Sequence, residues 1–569
     1  MARAVPSLGR SPEVAADPVR RRGEPGTDGR GLLLERLSGR QHDVLIVGGG
    51  VNGAVSALAL TAHGLRVALV EKDDFAAGAS QESSNLIWGG FKYLQSLDVR
   101  LVAGLCRSRN RLARAYPSRI REVRFLAALG DTAPYSAAFA AAGAYTYWAL
   151  GRFATRPPRR LGCRSVDRQE PVVQTAGLRG GVEYSDHLLT EGDARFVVQL
   201  LLDAADGGAV TVSRVRLDGA ERAGDGWRAT VTDRLGGASF EVGARLFLNA
   251  AGPHAPAVAR ACGGALENEL VLSKGVHLVV PQVSDSGRIL AFFDDDRRLF
   301  YVIPMGRRSI IGATDTWVDG PEVSVSAADR DFLLAQANAR LRLASPLRAA
   351  DVIAERCGVR PLIAGRDAAE RDWLELSRRH AVETDPAAGT ISILGGKLSD
   401  CLNVGEEVVA AARECGLAPS KPPGRWFGEP PDALRQHFLA AAAAAGIGPA
   451  DSATMWRRHG RAAFEVAALV GRSPEWGAPL SDAVDYSEAE VRVMARREHV
   501  FALEDFLRRR TSLAMLESAE RLAADAGVAR AAEILAEGAA EILAEGAAAG
   551  TNGLGTAALA PSAGGGGEP

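Results

Sequence analysis

Residues 42–72, HDVLIVGGGVNGAVSALALTAHGLRVALVEK, leave this chain few folds to choose from. A short apolar run stops at three glycines. An Ala/Leu-rich segment follows, and a second apolar run, RVALVE, ends on an acid. Two continuous apolar runs around a helical pattern read as strand, turn, helix and a parallel strand. A βαβ unit of this kind commits the chain to an α/β fold.

Gly48, Gly50 and Gly53 form GxGxxG directly after the first strand and at the head of the helix. The first glycine permits the tight turn, the second lets backbone approach a pyrophosphate, and the third lets helix pack on strand. The helix N-terminus offers free N–H groups and a partial positive charge to phosphates. Glu71 lies 23 residues after Gly48 and ends the second strand, where a carboxylate can accept from ribose hydroxyls. That carboxylate argues against a 2′-phosphate, hence for FAD or NAD over NADP. A structural glycine turn could imitate GxGxxG alone; strand, helix, second strand and terminal acid together point to a dinucleotide.

Position favours FAD, because the unit opens the folded chain and further glycine exits follow. GASQESSNLIWGG is a polar stretch ending in two glycines, suited to wrapping a pyrophosphate and lying against a flat ring. RLFLNAAGPHA and SILGGKLSD are strands running into glycine. Three such exits suffice to line one long cofactor. Ser80, Ser84, Leu86 and Gly90 in the first, Gly252 in the second, and Gly396 and Leu398 in the third join the cofactor-binding candidates.

Four regions are expected. Residues 1–40 are rich in Arg, Pro and Gly without apolar periodicity and read as a disordered leader. Residues 41–415 carry the βαβ unit interleaved with a second, mainly β layer, built from stretches such as AVTVSRV, WRATVTD, HLVVP, LFYVIP and SIIGATD; Ala133–Trp148 reads as a helix within it. Residues 416–530 have helical spacing. Residues 531–569 hold AAEILAEG twice and a Gly-rich flexible tail; two eight-residue copies are too few for a solenoid and extend a surface helix.

Composition excludes several classes. A net charge of −2 and the lack of a basic, aromatic-interleaved stripe argue against nucleic acid. None of the six cysteines is spaced CxxC, so no zinc or other metal site is expected, and reduced thiols suit a cytoplasmic protein. No apolar run approaches the roughly 18 residues of a membrane span. Any membrane contact would be peripheral, and the sequence hint for it is the RRR at 508–510, a run that is more often a solvated or salt-bridged helix face. Lysine is scarce: five residues (Lys72, Lys92, Lys274, Lys397, Lys421) against 62 arginines, 67 − 5.

With these motifs in order, the chain resembles the FAD-dependent glycerol-3-phosphate dehydrogenases and oxidases. The likeness runs from about residue 42 to about residue 525, through GGGVNGA, SSNLIWGGFKYL, NAAGPHA, LSKGVHLVVP, IIGATDT, CGVRPL, LSRRHAV, ILGGKLSD and FLRRRTSL. It implies a Rossmann-like FAD-binding domain, a mainly β substrate-binding domain and a helical C-terminal domain. It also implies oxidation of sn-glycerol 3-phosphate at C2, with electrons passed to quinone or oxygen. A location in the cytoplasm or on the cytoplasmic face of the membrane follows, and a homodimer is compatible with it. On matching positions His277 is the candidate base, since an imidazole titrates near working pH. Arg360 is a clamp for phosphate or oxyanion, Arg378 a further substrate arginine, and Lys397 and Lys92 cations beside the flavin. The paired glycines of IWGGFK, Gly89 and Gly90, would let backbone lie against the ring with no Cβ in the way.

The chain departs from the family's usual HGGLRYL and its Thr-Thr/Asp-Tyr-Arg after GGK. Trp88 stands for the histidine, Lys92 for the arginine, and Ser399, Asp400, Cys401 and Leu402 follow Lys397; on the family's pattern these departures touch the substrate pocket, and Leu402 removes a guanidinium from it. Lys92 keeps charge but loses the bidentate fork. Two alternatives follow: FAD-dependent oxidation of a different small anionic 2-hydroxy compound, or a catalytically decayed flavoprotein. An amine oxidase of the glycine and sarcosine oxidase type is disfavoured by KGVH and GVRPL.

Overall fold

The structure, a computed structural model, describes residues 29–94, 98–131, 133–294, 298–364, 380–420 and 424–550. His42–Val47 is the central strand of the first sheet, parallel to Val67–Val70 on one side and to Ser239–Asn249 on the other. Val210–Val212 and Thr390–Leu394 extend this parallel set, and Ala381–Asp385 closes one edge antiparallel. Strands covered on both faces read as unbroken apolar runs. Val44 and Ile46 pack under the helices Val51–Ala62, Asp193–Asp206 and Cys401–Glu414, while Leu45 and Val47 pack under the antiparallel strands Val215–Ala223 and Gly226–Asp233. Because the five strands are parallel, their C-terminal ends share one edge, and the glycine turns after His42–Val47, Ser239–Asn249 and Thr390–Leu394 open there together.

The second sheet is built on long antiparallel pairs: Ile120–Leu129 with Gly180–Leu189, and Glu269–Pro281 with Ala354–Ala364. From Asp432 the chain is helical, with Asp432–Ala444, Pro449–His459, Ala463–Arg472, Glu488–Arg497 and Ala526–Gly550 as its main elements.

Three expectations need correction. The leader is not disordered throughout: Arg30–Ser38 is a helix, with Leu37 fully buried and Leu33 and Leu34 packed on the first sheet. Arg30 anchors it, pairing with Asp233 at 2.5 Å and donating to the Ser213 carbonyl, so its charge is matched inside the fold. Residues 1–28 and 551–569 lie outside the described residues.

The repeat does extend a helix, Ala526–Gly550, but not one lying free on the surface. Val528, Ala531, Ile534, Leu535 and Ile542 are buried, and the helix packs on Glu488–Arg497 and on the N-terminal helix. At about 100° per residue, eight residues turn the helix by about 80° past two full turns. The two copies therefore present different faces: Leu535 is buried and its counterpart Leu543 is exposed.

The RRR is not a membrane hint. Arg508, Arg509 and Arg510 sit on a π-helical turn, Asp505–Arg510, and all three are spent on internal pairs. Arg508 meets Glu82 at 2.8 Å, and Arg509 and Arg510 both meet the buried Asp74 at 2.6 Å. Asp74 and Glu82 bracket the segment that carries Ser80, so the helical region grips the loop expected to wrap the pyrophosphate.

Candidate active site

The glycine turn is fixed by backbone contacts. Gly48 has φ +111, and a Cβ there would stand 2.6 Å from the Ala250 carbonyl oxygen, on the neighbouring glycine exit. Glu71 accepts from the Gly49 N–H at 2.7 Å and the Asp73 N–H at 2.9 Å; burial pushes its carboxyl above the usual carboxylate range. Ser80 Oγ accepts from the Val51 N–H at 2.9 Å, which brings the 74–82 loop onto the helix N-terminus beside Gly50. Ser84 is half-buried, and Leu86 lies on the short strand Leu86–Ile87, paired with Leu188. Gly252 opens a 3-10 turn, Gly252–His254, at the end of the second exit.

The third exit is tied to the first by a residue that the glycine pattern alone does not single out. Asn52, in the first turn of Val51–Ala62, donates from Nδ2 to the Gly395 carbonyl at 3.0 Å. Gly396 follows at φ +99, with Asn52 Oδ1 at 3.1 Å from its Cβ position. Leu398 starts the 3-10 turn Leu398–Asp400, which packs against Leu86–Ile87. Asn52 Oδ1 and His277 Nδ1 are buried without a protein hydrogen-bond partner. Buried polar atoms normally find one. Two orphans on segments that converge here fit a cradle completed by a bound dinucleotide.

Lys397 leaves the third exit towards the WGGFKYL segment. Its ammonium donates to Tyr93 Oη at 2.6 Å and lies 4.2 Å from the centre of the Tyr93 ring, itself 5.6 Å from the Trp88 ring. Lys92 is half-buried on the same 3-10 turn, Phe91–Leu94. The glycines of this segment answer to the protein as well as to any ring above them. A Cβ on Gly89 would fall 2.3 Å from Tyr147 Oη and 2.8 Å from Cys106 Sγ, and Gly90 has φ +84. Below them lies a buried cluster in which Asp186 accepts from the Gly89 N–H, Arg109 and Tyr147.

The opposite wall is the antiparallel pair Glu269–Pro281 and Ala354–Ala364. Its register sets His277 opposite Arg356, Gly275 opposite Gly358 and Ser273 opposite Arg360. Directly opposed residues share a face, so His277, Arg356 and Arg360 look the same way with a glycine gap between them. Arg360 folds into that gap, its guanidinium 2.0 Å from where a Gly275 Cβ would stand, and donates to Asp315 at 3.2 Å. Ala354–Ala364 packs on Thr390–Leu394 and on Gly252–His254, which brings this wall to the edge where the glycine exits open. Lys274 points to the other face and pairs with Asp329 at 2.6 Å.

Two expectations fail on physical grounds. His277 does not titrate near working pH: burial, with Arg360 and Arg356 nearby, lowers its imidazole to about 3. It is neutral at working pH and weakly basic. Leu402 does not face a substrate pocket; it is fully buried in the core on Cys401–Glu414. Arg378 lies outside the described residues.

His380, which sequence reading passed over, pins the third exit. Its Nδ1 meets Asp400 at 2.8 Å and its Nε2 meets Glu407 at 3.0 Å. Burial lowers its pKa, but the hydrogen bonds and charges of Asp400 and Glu407 outweigh that and raise it to about 9. A folded value above the unfolded one stabilises the fold fully below about pH 6.5, and the gain is lost as pH rises through about 9. The stability difference between wild type and His380→Gln should therefore be largest near about pH 6 and vanish above about pH 9. It should reach at most about 3 kcal/mol, trimmed because Glu407 is half exposed. Urea unfolding across that range measures it.

Residues 43–380 match the family described as FAD dependent oxidoreductase, and residues 425–538 match the C-terminal domain of alpha-glycerophosphate oxidase. Glycerol-3-phosphate dehydrogenase 2 of Mycobacterium bovis is 32% identical over 499 residues, covering 85% of this chain and 83% of that protein. Glycerol-3-phosphate dehydrogenase of a Synechocystis species is 28% identical over 517 residues, 86% of this chain and 91% of that protein. Among solved structures, the glycerol-3-phosphate dehydrogenase of Bacillus halodurans complexed with FAD superposes with a TM-score of 0.69. It is 22% identical and covers 93% of this chain and 97% of its own, a likeness of fold.

Proposed function

The chain belongs to the FAD-dependent oxidoreductases that end in the C-terminal domain of alpha-glycerophosphate oxidase, and from that membership we propose that it oxidises sn-glycerol 3-phosphate to dihydroxyacetone phosphate. Gly48, Gly50, Gly53, Glu71, Ser80, Gly252 and Gly396 would hold FAD along the shared sheet edge. Bound FAD supplies the acceptor, at N5, for the hydride leaving C2. Lys397, Lys92 and Arg360 would draw the phosphate and the developing oxyanion by charge, and Arg378 is carried as a further substrate contact on the family's pattern alone. His277, neutral at working pH, is free to accept the O2 proton at an imidazole nitrogen, though its low basicity limits the driving force.

The observation that carries this reading is the meeting of Lys397, from the third glycine exit, with Tyr93 of the WGGFKYL segment. On this reading the contact would set a cation where cofactor and substrate meet. The relatives named glycerol-3-phosphate dehydrogenase support the substrate. Electrons then pass to a quinone or to oxygen.

A second reading has its own support. Trp88 and Lys92 stand on the segment beside Lys397 and differ from the family's usual residues. A different small anionic 2-hydroxy compound would suit a pocket with more apolar area and a point charge. Anaerobic mixing of the purified holoenzyme with a panel of phosphates and hydroxy acids decides between them. Flavin bleaching by glycerol 3-phosphate at low concentration is expected. Bleaching only by another hydroxy acid would overturn the substrate, and no bleaching by any alcohol would favour a decayed flavoprotein.

A further inference from the structure

The second sheet splits at one end. The strand Ile289–Phe293 joins Ile120–Leu129 to Leu299–Met305, pairing Ile289 with Phe125 and Leu290 with Val302. It starts at Ile289, so beyond that point no strand among the described residues joins Ile120–Arg124 to Ile303–Met305. The helical region closes over the split with Arg458, Asp485, Tyr486 and the turn Leu513–Leu516. A cavity of about 310 Å³ remains between them. Protein interiors leave few voids larger than a water molecule, and pockets that hold small ligands start near about 300 Å³. Gly48, Glu71, His277, Arg360, Gly396 and Lys397 do not line it, so it is separate from the candidate active site.

The walls are largely apolar, with Leu188, Leu189, Ile303, Met305, Leu513 and Leu516 among them. Four charged residues also line the cavity: Arg121, Glu191, Arg458 and Asp485. Three are matched, since Arg458 meets Asp485 at 2.6 Å and Glu191 pairs with Arg457. Arg121 is not: it has no ion pair or hydrogen bond among the described residues, and burial alone lowers the pKa of its guanidinium, with no carboxylate to offset it. It is exposed as well as lining the cavity, which puts it at the mouth. An arginine takes a carboxylate by two parallel hydrogen bonds. The acids Glu191 and Asp485 oppose a second negative charge, which disfavours a phosphate dianion. The lining also touches the parts that hold the cofactor loop. Asn85 belongs to the segment that runs on into Trp88–Gly90, and Ser512 and Leu513 directly follow the arginines that grip Glu82 and Asp74.

We propose that this cavity is an effector site for a small carboxylate with an apolar chain, its anion on Arg121 and its chain between the second sheet and the helical region. Bound there, the ligand braces Ser512–Leu516, and with it the arginine grip on the cofactor loop, so that FAD leaves more slowly. The site stands on the cavity and its lining and holds whichever alcohol the enzyme oxidises.

Titration calorimetry of the holoenzyme with octanoate tests it, with acetate as the control for the chain and octanol as the control for the charge. Octanoate should bind saturably, and acetate and octanol more weakly by about tenfold or more. Arg121→Glu should weaken octanoate by about tenfold or more. Leu516→Trp, which fills the cavity from a half-buried position, should abolish its binding. Without octanoate, both variants should match wild type in flavin content and dye-coupled turnover. Saturating octanoate should slow FAD release from wild type by about fivefold or more and from neither variant. Octanoate that fails to bind, that binds both variants as tightly as wild type, that competes with the reducing alcohol, or that leaves FAD release unchanged would each overturn the proposal. Failure of glycerol 3-phosphate to reduce the flavin, by contrast, sinks the substrate reading and leaves the octanoate result standing.

Discussion

Gly53→Ala should give a protein that purifies without its yellow colour. The new Cβ would stand 1.9 Å from the Gly48 carbonyl oxygen. That oxygen is backbone, and the Gly48 turn is itself held against the Ala250 carbonyl and hydrogen-bonded to Val70, so it has nowhere to retreat. The head of Val51–Ala62 must move off the strand, carrying the Val51 N–H away from Ser80 and the Asn52 amide away from Gly395. Overpacking of this kind costs about 1–3 kcal/mol, and a contact this short belongs at the upper end. Each 1.4 kcal/mol is about tenfold in affinity, so FAD binding should weaken by about 100-fold. Gly104→Ala, on the helix Val99–Ala115 and outside the cofactor edge, is the control, since its Cβ meets only the far end of the Arg107 side chain at 3.9 Å. Absorbance of the purified proteins and FAD titration measure both. Full flavin content in Gly53→Ala would mean that the glycine turn does not hold the cofactor.

Lys397→Met should lower kcat/KM by about 10²–10³-fold while flavin stays bound. The ammonium is the cation that the third glycine exit delivers to the WGGFKYL segment, held by Tyr93 Oη at 2.6 Å and by the ring face at 4.2 Å. Removing one preorganised donor to a developing oxyanion costs about 10²–10³ in rate. Methionine keeps most of the side-chain volume, so a packing defect is a poor rival explanation. Tyr93→Phe keeps the ring under the ammonium and removes only the hydroxyl, so its loss should be smaller. Steady-state kinetics with a soluble dye separates the cases. A Lys397→Met enzyme as fast as wild type would remove this lysine from the chemistry and weaken the assignment of the whole edge.

The first βαβ unit was legible because its physics is local. The apolar runs of His42–Val47 and Val67–Val70, the glycines between and the acid at Glu71 are contiguous, and each position has a reason within about 30 residues of chain. The other two glycine exits could be picked out by the same local signal. What brings them to the first is the parallel register of His42–Val47 with Ser239–Asn249, and of that strand with Thr390–Leu394. The amide of Asn52 reaching Gly395 across 343 residues left no mark in the pattern. His380 was hidden for the same reason: its partners lie 20 and 27 positions on, and only the fold turns them towards it.

Charge was the least legible property. Three consecutive arginines at 508–510 look like a solvent or lipid face in one dimension, yet each is consumed by an acid more than 400 residues away. The uncharged helix Ala137–Leu150 shows the same limit in the opposite sense, since its apolar composition does not tell which side is buried, and it is half exposed. His277 shows the same limit in chemistry, because an imidazole's basicity depends on the water and charges around it, and here burial and two arginines remove it from the working range. Sequence alone therefore determined the dinucleotide turn and the order of elements, which short-range sterics and apolar periodicity dictate. Tertiary structure alone decided which charges are spent, which histidine titrates and which apolar face is left in water, because burial and long-range pairing exist only once distant segments are packed together.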